Sequence, residues 1–193
     1  MSSELPSREE LLDIADGVLA RVPEGSDAEV IVTETATALT RYANGGIHQN
    51  VADRTLSVRL RLVRDGRSGV AQTQVTGDDA VPALVEAAEN IRAHSPHGEP
   101  VYPVAPDGGE DTEKGYSAAT ESMSPEERAD TVGVVCAAAA GQGQKAYGSC
   151  ESTVTAVAMA STTGLRRASR QSVAELIAVC RGDDGNAYAA RYG

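Results

Sequence analysis

The chain of 193 residues has no Phe and no Trp, and tyrosine supplies all of the 3% that is aromatic. A core without large rings must rest on Val, Leu, Ile and Ala. Such side chains bury less area each, at about 25 cal/mol per Å², which favours flat layers of sheet and helix packed closely. Cysteine is scarce as well: Cys136, Cys150 and Cys180 form an odd set with no C-x-x-C spacing. They fit buried or free thiols in a reducing compartment better than a disulfide framework. No run of about 18 apolar residues occurs, and the opening MSSELPSREE is polar with no apolar core. The expectation is a cytoplasmic protein without membrane contact.

Catalytic signatures are absent too. There is no H-E-x-x-H, no G-x-S-x-G, no phosphate-binding loop and no G-x-G-x-x-G. Of the three histidines, His94 and His97 have ligand-like spacing but stand at a helix end in a Pro/Gly-containing loop. That position suits an exposed loop better than a metal site. His48 is read as a strand surface residue, and none of the cysteines has a visibly electropositive setting that would make a reactive thiolate. The residues alone describe a scaffold or binding module rather than a complete active site, with no catalytic or metal residue within the chain.

The formal charge is −11, from 28 acidic and 17 basic residues. A general nucleic-acid binder needs a basic face, so this balance argues against one. The distribution is uneven. Between Leu39 and Val75, six arginines (Arg41, Arg54, Arg59, Arg61, Arg64 and Arg67) meet only Asp53 and Asp65, whereas the stretch from Ser95 to Asp130 is acidic. Either this is a solvated face balanced by the acidic segment, or it docks a partner bearing carboxylates or phosphates.

What the sequence does contain is a strong strand pattern centred on Thr40 to Val75. Leu56, Val58, Leu60 and Leu62 alternate with Thr55, Ser57, Arg59 and Arg61, a period of two that specifies a half-buried strand. Asn44-Gly45 and Asp65-Gly66 flank it, and both tolerate the positive φ that two-residue hairpins require. Together they predict a three-stranded antiparallel meander, entered by a long strand from Ala28 to Tyr42 with a possible bulge near Ala36 to Ala38. Ahead of it, Ser7-Arg8-Glu9-Glu10 is a capping box that opens a helix with Leu11, Ile14, Ala15, Val18 and Val22 on its apolar face. Behind it, Gly77-Asp78-Asp79 opens a helix with Leu84, Val85, Ala88 and Ile91 inward, ending before Pro96.

Residues 95–123 collect proline, glycine and acids, and read as an extended connector. Ser124-Pro125-Glu126-Glu127 is a second capping box. Its helix uses Val132, Val135, Cys136 and Ala139 and stops at Gly141 as a left-handed cap. Strands from Ala146 to Ala160, Leu165 to Cys180 and Asn186 to Tyr192 then repeat the meander. The capping serines are 124 − 7 = 117 positions apart, and the first-turn glycines 164 − 46 = 118. The chain therefore reads as a duplicated helix-plus-meander unit, residues 7–94 and 124–193. The fold class is α+β: an antiparallel sheet with its helices on one face. The second unit stops where a helix should follow, so residues 1–193 read as the N-terminal domain of a longer protein whose C-terminal domain is absent.

Arg41-Tyr42-Ala43-Asn44, Ile47-His48-Gln49-Asn50, the Val58 to Val63 strand, the D-G-R-S-G-x-A turn from Asp65 to Ala71, and Ser161-Thr162-Thr163-Gly164-Leu165 resemble the N-terminal domain of the TldD/PmbA family. That family is described as two-subunit metalloproteases and as modulators of DNA gyrase. The resemblance implies a second subunit of the family as partner, unfolded peptides as substrates, and zinc held by H-E-x-x-x-H in the partner or in the missing C-terminal domain. Ala187-Tyr188-Ala189-Ala190-Arg191 looks more like the PmbA-type subunit, which lacks the metal. On this reading the chain guides substrate and dimerises, with Arg41, Asn44, His48, Gln49, Asn50, Arg59 and Arg61 as candidate peptide- or partner-contacting residues. The alternative is a non-catalytic interaction module that uses the arginine-bearing strand face.

Overall fold

Asn44 and Gly45 have φ of 53° and 77°, and Asp65 and Gly66 have 53° and 68°. Each pair thus closes the tight hairpin its sequence requires. The computed structural model describes residues 5–74, 79–96, 102–104 and 106–193. In chain order the elements are α1 (Arg8–Leu19), β1 (Asp27–Ala43), β2 (Gly46–Arg64), β3 (Arg67–Thr73), α2 (Ala80–His94), α3 (Ala118–Glu121), α4 (Pro125–Ala140), β4 (Lys145–Ser161), β5 (Arg166–Gly182) and β6 (Gly185–Tyr192). The strands form one antiparallel sheet in the order β3-β2-β1-β4-β5-β6. Both capping boxes are made, Ser7 with Glu10 and Ser124 with Glu127. No described helix is long and apolar enough to cross a membrane.

The α+β architecture matches the expectation, with the helices on one face. Val58, Leu60 and Leu62 of β2 are buried under them, whereas Arg59 points out on the opposite face. Leu11, Ala15 and Val18 of α1 and Leu84 and Ala88 of α2 share a single core with them. On β4 the inward positions are Val154, Ala156, Ala158 and Ala160, small enough for α1 to lie close on the sheet. At Gly69 of β3, a Cβ would stand 2.1 Å from the Ala88 carbonyl oxygen and 2.5 Å from the Arg92 nitrogen. Only glycine admits the backbone of α2 there.

β1 and β4 meet at the centre with Ala36 opposite Val154. These two residues are 154 − 36 = 118 positions apart, the same interval as between the turn glycines. A pseudo-twofold axis therefore passes between them and exchanges one meander for the other.

Several details differ from expectation. The irregularity in β1 pairing falls at Arg41/Tyr42, not near Ala36 to Ala38. Gly141 is right-handed (φ −61°) and the left-handed glycine is Gly143. Ile91 is 48% exposed; the buried residue on that turn is Arg92, held by Glu89 through bonds of 2.7 and 2.8 Å. The connector is not free of structure: it forms α3, and Thr112 bridges Ser169 in parallel. Gly77, Asp78 and His97 lie outside the described residues.

Candidate functional site

Between the first turn of α1 and residues 111–113, the helix-bearing face of the sheet opens into a cleft of about 840 Å³. Its walls carry Arg8, Arg54 and Arg170 with Glu10, Asp111 and Glu113. Arg8 Nε donates to Asp111 Oδ2 at 2.5 Å, and Arg54 Nε donates to the buried Glu34. Arg170 donates to the Pro6 carbonyl at 3.1 Å, lies 3.6 Å from Glu121 and rests on the Tyr116 ring. The Ala168 N–H and then Arg8 hold the Asp111 carboxyl below the usual range, and the capping bonds to Ser7 do the same for Glu10. The lowered Asp111 and Glu10 carboxyls and the paired arginines give the cleft a lining of satisfied charges.

The sequence-selected residues gather on β1 and β2 but divide between the two faces. Asn44 occupies its turn and accepts from the Tyr147 hydroxyl at 2.7 Å. On the helix-free face, Arg41 donates to Gln49 at 3.3 Å, Arg59 is exposed, and Arg61 grips Glu29 through bonds of 2.9 and 3.1 Å. Arg61 also donates to the Tyr102 and Pro103 carbonyls. Asn50 belongs to the helix side, where its Oδ1 accepts from Thr40. His48 is exposed at the bulge, because Gln49 pairs with Arg41 while Ile47 pairs with Tyr42. With Arg54 on Glu34 and Arg64 on Glu89 at 2.6 Å, much of the local arginine surplus ties β2 to its neighbours.

One residue the sequence reading passed over is Arg128. It is only 2% exposed, and it donates to Met123 O at 2.8 Å, Thr40 Oγ1 at 3.3 Å and Asn50 Oδ1 at 3.4 Å. No described carboxylate forms an ion pair with it. Its signal was spacing: Arg128 precedes Val132 by four, so it continues the inward stripe of α4.

All three cysteines converge near Tyr42. Cys150 is buried with it, and Cys136 and Cys180 pack against them. Burial pushes up the Cys136 and Cys150 thiols. Burial first, and then the neighbouring thiols, raise the Tyr42 phenol to about 12. Protonated thiols are poor nucleophiles and poor metal ligands. No group of three or more His, Cys, Asp or Glu side chains among the described residues is placed to hold a metal.

Residues 28–92 match the family model described as PmbA/TldA metallopeptidase domain 1, a span running from β1 into α2. The curated proteins contain no match. Among solved structures, a candidate modulator of DNA gyrase from Thermotoga maritima superposes with a TM-score of 0.72 at 20% identity. A similarly described protein from Bacteroides thetaiotaomicron gives 0.73 at 16%, and TldE from Thermococcus kodakarensis 0.71 at 14%. Each match covers 96% of this chain but only 42%, 43% and 42% of the respective structures. The chain thus spans about two fifths of their length, and identities this low show a shared fold. With the family model matched over residues 28–92 and the fold shared along 96% of the chain, this chain is similar to the first domain of the PmbA/TldD metallopeptidases.

Proposed function

We propose that this domain guides substrate for a two-subunit metallopeptidase, receiving unfolded peptide on its sheet and assembling with a second TldD/PmbA-family subunit. The observation that carries the reading is the metallopeptidase-domain match over residues 28–92. The structure adds a cleft of satisfied charges and a long antiparallel sheet, features suited to holding a chain rather than cutting it. Main-chain bonds from a sheet bind extended peptides of varied sequence, because they use groups every residue carries. Zinc and the hydrolytic groups belong, on this reading, to residues outside this chain, and the chain itself to the PmbA-type subunit.

The test is to combine the full-length protein with its partner subunit and zinc, and to follow cleavage of an unfolded peptide. Chelator-sensitive cleavage that needs both subunits is expected. Intact peptide under those conditions overturns the proposal.

A further inference from the structure

The pseudo-twofold axis makes β2 and β5 counterparts, yet their outer edges differ. β6 and Gly193 cover β5 from Ala174 to Gly182. The remaining part is covered by the connector: Thr112 N–H donates to Ala168 O at 3.2 Å, Arg170 N–H to Thr112 O at 3.1 Å, and Ser172 N–H to Gly115 O at 2.9 Å. The bridge from Thr112 to Ser169 is parallel. On β2, the described residues of β3 cover Val58 to Arg64. Among the described residues, no strand pairs with β2 from Gly46 to Asp53 on the side away from β1.

The direction of the backbone groups follows from alternation along each strand. Even-numbered β5 residues bond outward to the connector, so odd ones bond β4, where Ser169 faces Val157. Even β4 residues then bond β1, as Ala156 does opposite Glu34, and odd β1 residues bond β2, as Leu39 does opposite Val51. That leaves the N–H and C=O of Asn50 and Ala52 directed at the bare edge. They correspond, 118 positions earlier, to Ala168 and Arg170, two of the three β5 residues whose backbone the connector engages. Ile47 and Val51 on the same stretch are 45% and 44% exposed, unusual apolar exposure for an uncovered edge.

We infer that the β2 edge from Gly46 to Asp53 is the strand-addition site for an extended peptide. The peptide runs parallel to β2, as the connector runs parallel to β5, and exchanges main-chain bonds with Asn50 and Ala52 while its apolar side chains cover Val51. The inference rests on the peptide-guiding reading above and names the edge that reading leaves open.

The experiment uses the full-length protein with its partner subunit, an unfolded peptide of mixed sequence, and two readouts: amide exchange at Asn50 and Ala52, and the KM and kcat of Ala52→Pro. Proline at 52 removes an outward donor without touching the bonds to β1, and its thermal unfolding is compared with the parent to confirm folding. Peptide is expected to slow exchange at both amides, and Ala52→Pro to raise KM about tenfold with kcat held. If Ala52→Pro does not fold, slowed exchange in the parent decides alone. Cleavage that proceeds with both amides unprotected and KM unchanged overturns the edge assignment and leaves the peptidase reading standing. Protection without any cleavage does the reverse. Protection that appears without peptide and rises with protein concentration assigns the edge to a second copy and overturns the inference.

Discussion

The hydroxyl oxygens of Thr37 on β1 and Thr153 on β4 lie 3.2 Å apart on the helix-free face, and those of Thr35 and Thr155 lie 3.4 Å apart. A shift of 118 positions turns Thr35 into Thr153 and Thr37 into Thr155, so the axis between Ala36 and Val154 exchanges one pair for the other. Cross-strand Thr pairs contribute roughly 0.2–1 kcal/mol each. Thr37→Val and Thr153→Val are each expected to lower stability by about 0.5–1 kcal/mol, and the double variant to lose less than their sum. A double-mutant cycle in urea measures the coupling, and strict additivity would show the two hydroxyls to be independent.

Two glycines should respond in opposite directions to alanine. At Gly69 the new methyl meets the backbone of α2, which cannot swing aside as a side chain would. Overpacking of this kind costs about 3 kcal/mol. Gly17 lies within α1 with nothing inside 4 Å of its would-be Cβ, and there alanine is expected to add about 0.5–1 kcal/mol through helix propensity. Denaturant midpoints of Gly69→Ala and Gly17→Ala shifting the same way would contradict the packing described.

How much of this was legible depended on how locally each feature is encoded. The Asn44-Gly45 and Asp65-Gly66 turns, the Ser7 and Ser124 capping boxes and the β2 alternation are each determined within a few residues, and each formed as read. Ile91 and Arg92 show where local reading ends. Both follow Ala88 at helical spacing, and the choice between them was made by where β3 lies and by Glu89, which grips Arg92. The cleft was not legible because its walls come from residues 5–8, 10–11, 54, 111–113, 156–157 and 168–170, which only the finished sheet brings together. The selected residues on β1 and β2 were located correctly as a strand pair, but alternation sent them to both faces.

Arg128 offers a test of buried charge. Arg128→Ala removes three hydrogen bonds and the aliphatic stem beneath α4, and is expected to cost about 2–4 kcal/mol. Arg128→Met restores most of the volume without burying a charge, so it should recover part of that loss. Chemical denaturation of both variants checks this; a cost within about 0.5 kcal/mol for Arg128→Ala would show that the guanidinium does not hold the sheet to α4.

At high pH, Tyr42 supplies a further signature. Its phenol is raised from 10 to about 12 by burial. Between those values the unfolded chain has released a proton that the folded chain still holds, so stability is present in full below pH 10 and falls as pH rises towards 12. The limiting slope for one group is about 1.4 kcal/mol per pH unit. Cys136 and Cys150, pushed up in the same cluster, add a decline that begins nearer pH 9. Tyr42→Phe loses the bond to the Ile177 carbonyl, 2.8 Å long, and should therefore start about 1 kcal/mol lower at pH 8. It lacks the decline above pH 10, so its curve should meet the parent's at about pH 11 and lie above it at higher pH. Urea midpoints measured from pH 8 to 11.5 read this directly, and parallel curves for parent and variant would show that Tyr42 does not carry the alkaline loss.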